Sequence, residues 1–261
     1  MTDLLRAERD AIALLGLLGR ADRQFDPPLG GGGGAAPTHR AGLNIFGCVL
    51  DNCDGELLAV DRNTIHTDGS PLQHAEQRAV RSAIARVLAK RPRPDHVTVE
   101  QYYRGGMLRA NGSGPGDALR QGATCYTTLE PCPMCSGTLL QARMQRVVFV
   151  LSDMEYGGAW RMLKERYFPA DASSCESMEI DAAPSELCHR AADLLGRLRI
   201  RARELRLAGG KDMHALDGCR DLLHEASGLL AATDQRGLCT RGGDLERNAR
   251  TLAMFKALVE P

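Results

Sequence analysis

An α/β fold is the class this sequence predicts, and three observations predict it. Two short apolar runs, Leu43–Leu50 and Glu56–Val60, are separated by Asp51-Asn52-Cys53-Asp54-Gly55, whose Asp-Gly signals a hairpin turn. Downstream, stripes of apolar residues spaced by three and four alternate with strand patterns. Arg146–Leu151, RVVFVL, is the near-continuous apolar run of a strand buried on both faces. With 261 residues, 43% of them hydrophobic, the chain has material for one large domain, or for one domain with an appendage.

The elements follow in order. Leu4, Leu5, Ile12, Leu14, Leu15, Leu17 and Leu18, interspersed with Arg6, Glu8, Arg9 and Asp10, make a first helix with a broad apolar face. Pro27-Pro28-Leu29 and five glycines, Gly30 to Gly34, come next; glycine loses much backbone entropy on ordering, so the run reads as a flexible tether. It lacks the Gly-Lys-Ser/Thr ending and following helix of a phosphate cradle. After the hairpin, Ala79, Val80, Ala83, Ile84, Val87 and Leu88 form a helical stripe, with His74 and Glu76 in or just before its first turn.

Between Arg91 and Gly122 the pattern fails, and the stretch reads as an insertion with one possible strand at His96–Val99. Ala123–Thr128 is a strand, and Cys132 opens a helix running to about Met144. A helix over Ala159–Phe168, a strand at Met178–Ile180 and a long helix from Ser185 to about Leu207 follow, the last with Pro184 at its start. Leu216, Cys219, Leu223, Ala226 and Leu230, then Leu252, Phe255 and Leu258, mark a closing helical hairpin docked on the main body. The chain therefore divides into an N-terminal helix with its tether (1–36), a central unit (37–207) carrying the insertion at 91–122, and a helical C-terminal extension (208–261).

Lys plus Arg and Asp plus Glu both number 33, so the formal net charge is +0 and no global field draws the chain to polyanions or membranes. There is no signal-like segment and no apolar run of transmembrane length. The 9 cysteines are an odd number, and a reducing cytoplasm suits them, where a short Cys pair points to metal or catalysis more than to a disulfide.

The chemistry concentrates in two stretches, His74-Ala75-Glu76 and Pro131-Cys132-Pro133-Met134-Cys135. Zinc prefers thiolate and imidazole in a tetrahedron, and a catalytic zinc keeps one position open for water. His74, Cys132 and Cys135 supply three ligands, one zinc per subunit. Helix N-termini carry partial positive charge that stabilises thiolates, and both stretches sit at such ends. Glu76, too close to His74 for both to ligate comfortably, is placed to carry a proton from an activated water to a departing group. The alternatives are a structural zinc knuckle, simple packing or a redox Cys-x-x-Cys pair; the first lacks a fourth ligand in register, and the redox pair has no use for His-Ala-Glu.

The match extends beyond this signature, which is that of the zinc deaminases. Thr128-Leu129-Glu130-Pro131-Cys132-Pro133-Met134-Cys135, Gly137, Arg143 and Arg146-Val147-Val148-Phe149 resemble the cytidine deaminase-like superfamily, and most of all its branch of tRNA adenosine, guanine and cytosine deaminases. The resemblance covers about residues 41–205. It implies a three-layer α/β/α sandwich around a five-stranded mixed sheet, usually oligomeric, here a homodimer. It also implies that Ala75 offers its backbone amide to the base, that Asn63, eleven positions before His74, contacts the base edge, and that Asp153 with Gly157-Gly158 forms a substrate loop. On residues alone, Asn63 also reads as a loop residue bonding its own backbone, and Asp153 as a turn or cap residue. The N-terminal helix, the insertion and the tail after Leu207 are additions to the family core.

The expected activity is hydrolytic replacement of an exocyclic amine by a carbonyl on a free nucleobase, nucleoside or related amino-heterocycle. A tRNA adenosine, flipped out and read in a pocket, is the rival substrate. Arg197, Arg199, Arg201 and Arg203 favour it, although residues two apart point around a helix and also suit a solvated helix end. A non-enzymatic zinc-stabilised interaction module is the third reading, and it leaves Glu76 without a task. The remaining cysteines read as small apolar residues, and His66 is the other histidine placed to approach the pocket.

Overall fold

The structure, a computed structural model, describes residues 3–23, 44–90, 122–167, 175–177, 185–209 and 216–260. Strand β1 (Phe46–Asp51) runs antiparallel to β2 (Leu57–Arg62) and, on its other side, to β3 (Ala123–Leu129); β3 is parallel to β4 (Arg146–Leu151). The result is an α/β molecule on a mixed sheet ordered β2-β1-β3-β4, with the three-residue strand Cys175–Ser177 parallel beside β4. The hairpin turn falls where Asp-Gly places it. Gly55 takes φ 68°, a conformation open to glycine, and its N–H donates to the Asp51 carbonyl at 3.0 Å.

Helices cover both faces of the sheet. On one lie α2 (Ala75–Lys90), α3 (Pro133–Gln141) and α4 (Ala159–Tyr167). There Ala79, Val80, Leu139 and Trp160 pack with Val49, Cys125 and Val147 of the strands. Phe46, Cys48, Leu50, Tyr126, Val148 and Val150 face the other way, into a second cluster. The period of two therefore holds in β1 and up to Val150 of β4, and the runs read as continuously apolar because both phases are buried.

The second face is covered by α1 (Asp3–Arg23) and α5 (Glu186–Leu207), and α6 (Arg220–Ala232) and α7 (Gly242–Val259) pack on α1. The first helix is packed as part of the core of this molecule. Ala11, Ile12, Ala13, Leu14 and Leu15 are all 0% exposed, so α1 is buried around its circumference, as a helix between a sheet and two other helices must be. Its charged residues only mimic a solvent face. Asp10 accepts two hydrogen bonds from Arg146, at 3.0 and 2.6 Å, and one from the Tyr126 hydroxyl at 2.7 Å. Glu8 accepts from the backbone N–H groups of Cys239 and Thr240 and from the Asn248 amide, and Arg9 donates to the Asn52 carbonyl at 2.7 Å. A Cβ at Gly16 would run into the Phe255 ring, so α1 and α7 approach more closely than a side chain there permits.

Helix α5 starts as expected at Ser185, whose hydroxyl accepts the Cys188 N–H at 3.2 Å. Helix α3 stops short of Met144. Arg143 adopts φ 58°, and the N–H groups of Arg143 and Met144 turn back to Leu140 and Leu139 carbonyls at 3.0 Å each, closing the helix. The glycine run, the insertion before Gly122 with its possible strand, and the strand expected at 178–180 lie outside the described residues. No helix among the described residues is long and apolar enough to cross a membrane.

Candidate active site

Two helix N-termini converge at one end of the sheet. Gly47 of β1 stands opposite Thr127 of β3, and a Cβ on it would lie 3.2 Å from the Ala75 carbonyl carbon and the Glu76 nitrogen. The first turn of α2 can rest on the strand because that position is glycine. At the start of α3, Cys132 is the N-cap residue with extended backbone (φ −64°, ψ 170°), and Pro133 fills the first helical turn, where its missing N–H costs nothing. The Cys132 carbonyl accepts the Ser136 N–H at 2.8 Å, and the Ser136 hydroxyl donates to the Pro131 carbonyl at 3.2 Å. Gln77 of α2 donates to the Thr138 hydroxyl of α3 at 3.1 Å, tying the two helices together.

This framework brings His74, Cys132 and Cys135 together, their ligand atoms all within 4.8 Å of one another, the one such group among the described residues. Cys132 Sγ and His74 Nδ1 are 3.8 Å apart. A tetrahedral zinc with ordinary Zn–S and Zn–N bonds holds such atoms about 3.5–3.8 Å apart, so the two sulfurs and one imidazole fit that ion in chemistry and spacing. Cys135 is buried, His74 and Cys132 half-buried, and Glu76 in the first turn of α2 is buried beside them.

The electrostatics distinguish the four groups. A hydrogen bond from the Cys135 thiol, aided by His74, lowers Cys132 to about 4, so Cys132 is the thiolate of the set. The hydrogen bond to Cys132 together with burial drives Cys135 upward, and the contact with Cys132 raises His74. Burial pushes the Glu76 carboxyl up to about 7. An acid poised near neutrality can both take and return a proton.

The residues expected at the substrate are differently engaged. Asn63 is buried, and its Oδ1 accepts the Ile65 N–H at 3.1 Å within its own loop. Asp153 Oδ1 accepts the N–H groups of Glu155 and Tyr156 at 2.9 Å each, the pattern of a turn residue. Ala75 is fully buried between His74 and Glu76, and His66 is exposed. Of the four arginines on α5, Arg197 pairs with Asp193 and Glu225, and Arg199 donates to the Val150 carbonyl at 3.0 Å.

Glu130 is the residue that the sequence left without a role. It is 8% exposed, and its carboxylate accepts the Asp153 N–H at 3.2 Å and the Gly158 N–H at 2.7 Å. A Cβ on Gly157 would lie 2.5 Å from Glu130 Oε2. The signal was an acid two residues before the first cysteine together with Gly157-Gly158 soon after a buried strand.

The family model of the cytidine and deoxycytidylate deaminase zinc-binding region matches residues 40–151, a span that holds all four clustered groups. The tRNA(Ile)-lysidine synthase of Deinococcus deserti is 31% identical over 111 residues, 42% of this chain and 16% of that protein. The tRNA-specific adenosine deaminase of Aquifex aeolicus is 27% identical over 105 residues, 40% of this chain and 51% of that protein. The chain thus spans from about a sixth to about half of the length of these relatives. Among solved structures, guanine deaminase from Bacillus subtilis is similar at 21% identity and a TM-score of 0.30, over 43% of this chain and 52% of that one.

Proposed function

Because residues 40–151 make this chain a member of the cytidine deaminase-like superfamily, we propose that it is a zinc-dependent hydrolytic deaminase acting on a free nucleobase, nucleoside or related amino-heterocycle. The unit at 37–207 carries the activity, and the finer fold goes with it: a three-layer sandwich whose sheet has five strands. The observation that supports the reading is the convergence of His74, Cys132 and Cys135 within 4.8 Å, with buried Glu76 beside them.

His74, Cys132 and Cys135 hold one zinc per subunit, and the zinc supplies Lewis-acid activation of water at neutral pH. The reaction consumes one water and exchanges the C–NH2 group of a ring amidine for C=O, with loss of ammonia. Glu76 takes one proton from the attacking water and gives it to the ring nitrogen, then takes the water's second proton and passes it to the departing amine. Its elevated pKa suits both halves of that transfer. Ala75 offers its backbone N–H to the ring, and the Asn63 side-chain amide, whose Oδ1 is held by Ile65, has its NH2 left for the base edge. Asp153 acts through the loop it organises.

A tRNA adenosine is the second reading, favoured by relatives named tRNA-specific adenosine deaminase. Against it, Arg197 and Arg199 are committed to partners inside the chain. Purified zinc-loaded protein, screened for ammonia release from guanine, adenine, cytosine and their nucleosides, tests the first reading. Release from one of these, with no salt-dependent binding of tRNA, supports it; no release, with tRNA binding that weakens steeply as salt rises, favours the second. The protein is taken to be cytoplasmic and a homodimer, and sedimentation at micromolar concentration checks the dimer.

A further inference from the structure

We propose that Glu130 is a positioning residue for the substrate: it holds the loop at 153–158 against the cysteine loop and so sets one wall of the pocket. The inference rests on the deaminase reading above.

Glu130 joins two neighbouring pieces of chain. Its backbone N–H donates to the carbonyl of Leu151, the last residue of β4, at 2.8 Å. Its carboxylate then reaches past the strand end and binds the N–H groups at both ends of the loop, Asp153 and Gly158. Cys132 is only two residues further along, within about 7 Å of chain. One side chain therefore fixes where the loop stands relative to the first thiolate.

The rest of the loop is closed on itself. The Asp153 side chain bonds Glu155 and Tyr156, and the Gly157 N–H donates to the Asp153 carbonyl at 2.9 Å. Such a unit is rigid internally, yet on the side facing the cysteines it depends on Glu130 for its placement. The carboxylate is buried, so its two charge-assisted hydrogen bonds are the strong kind, and losing one leaves a backbone N–H without an acceptor. Glycine at 157 keeps clear the space that the carboxylate occupies, and Gly158 takes φ 76° to aim its N–H at it. The loop presents Met154, 75% exposed, and Tyr156, 56% exposed, large side chains suited to lie against a planar ring.

The test compares wild type, Glu130→Gln and Gly157→Ala, all zinc-loaded, with whichever of guanine, adenine, cytosine or their nucleosides the wild type turns over. Glutamine keeps the shape but cannot accept with both ends. Alanine at 157 drives a methyl against both the Asp153 carbonyl and the Glu130 carboxylate, the latter 2.5 Å from such a Cβ, and so presses the loop off its clamp. Expected for both variants are unchanged zinc content, kcat within about threefold, KM raised about tenfold or more, and faster amide exchange at 153–158 but not in α2. The double variant should be no worse than the worse single one, because both break one clamp. A KM within about twofold of wild type in both variants overturns the inference while leaving the deaminase reading intact. Loss of zinc in step with turnover also overturns it, by showing that Glu130 serves the metal loop. If Glu130→Gln does not fold, Gly157→Ala decides on the same criteria. A wild type that releases no ammonia from guanine, adenine, cytosine or their nucleosides removes the small-molecule reading on which the inference rests, and the inference with it.

Discussion

The two polar regions of this molecule are built in opposite ways. At the mouth of the sheet, His74, Glu76, Cys132 and Cys135 come from two short stretches of chain and are left electrostatically unfinished: burial raises Glu76, and Cys132 is a thiolate among thiol and imidazole. Behind the sheet, the carboxylates of Glu8 and Asp10 on α1 are finished. Asp10 meets Arg146 across 136 residues of sequence and Tyr126 across 116, and Glu8 meets Asn248 across 240. An unfinished cluster is ready for an ion and a substrate, whereas a closed one is ready only to hold helices in place. The difference predicts that damage to the first removes activity and spares the fold, and that damage to the second does the reverse.

The largest effect is expected at Glu76. Glu76→Gln should lower turnover by about 10²- to 10⁴-fold, the usual worth of a positioned acid–base group. Zinc content and the urea midpoint should stay at wild-type values or above, since the variant removes a buried ionisable group. A midpoint that collapsed with activity would make the two regions one.

Asp10→Asn is the mirror experiment. It removes the charge that Asp10 sets against the Arg146 guanidinium, 7% exposed at its side chain, and breaking a buried pair from one side costs about 3–5 kcal/mol. Urea unfolding should show that loss, while the activity per folded molecule stays within about twofold. A fall in kcat at full folding would show that α1 reaches the chemistry.

The same contrast explains what could be read from the sequence. The site was legible because its information is local: a histidine and a carboxylate two apart, two cysteines three apart, each at the head of an apolar helical stripe. Strands β1 to β4 were legible as short apolar runs because both faces of the sheet are buried, and Asp-Gly marks the hairpin. The burial of Glu8, Arg9 and Asp10 was not legible, because on one helix they look like a solvated face and their partners lie far along the chain. The end of α3 was missed since Met144 continues the apolar spacing, and only the backbone of Arg143 shows the turn. Glu130 was quoted in a motif, but a motif gives identity and not hydrogen bonds.

Gly16→Ala sharpens the α1 side at smaller amplitude. The methyl meets the Phe255 ring, and overpacking of this kind costs about 1–3 kcal/mol, partly offset by the better helix propensity of alanine. The urea midpoint should fall by the equivalent of about 1–2 kcal/mol, and the loss should shrink or vanish in a Phe255→Leu background, where the ring is gone. Equal losses in both backgrounds would mean that the glycine serves something other than the α1–α7 approach.

Asp51→Asn has the smallest expected effect and the clearest pH signature. Asp51 lies in the hairpin at the end of β1, on the Arg9 side of the sheet, and burial raises its pKa, with Asp54 and Glu56 adding to the rise. For an acid whose folded pKa lies above its unfolded value, the stabilisation is complete below the unfolded pKa, about 3.9, and is lost as pH rises through the folded pKa. Wild type therefore carries a penalty at neutral pH that asparagine does not. Asparagine can still accept the Cys53 N–H, which Asp51 takes at 2.7 Å, so the turn survives the substitution. Asp51→Asn should be more stable than wild type at pH 7 by at most about 1 kcal/mol, and the advantage should disappear on acidification below about pH 3.9. Urea midpoints measured across that range read it directly. An advantage that grew toward acid would reverse the sign and show that ionised Asp51 stabilises the hairpin, making it another finished charge like Asp10.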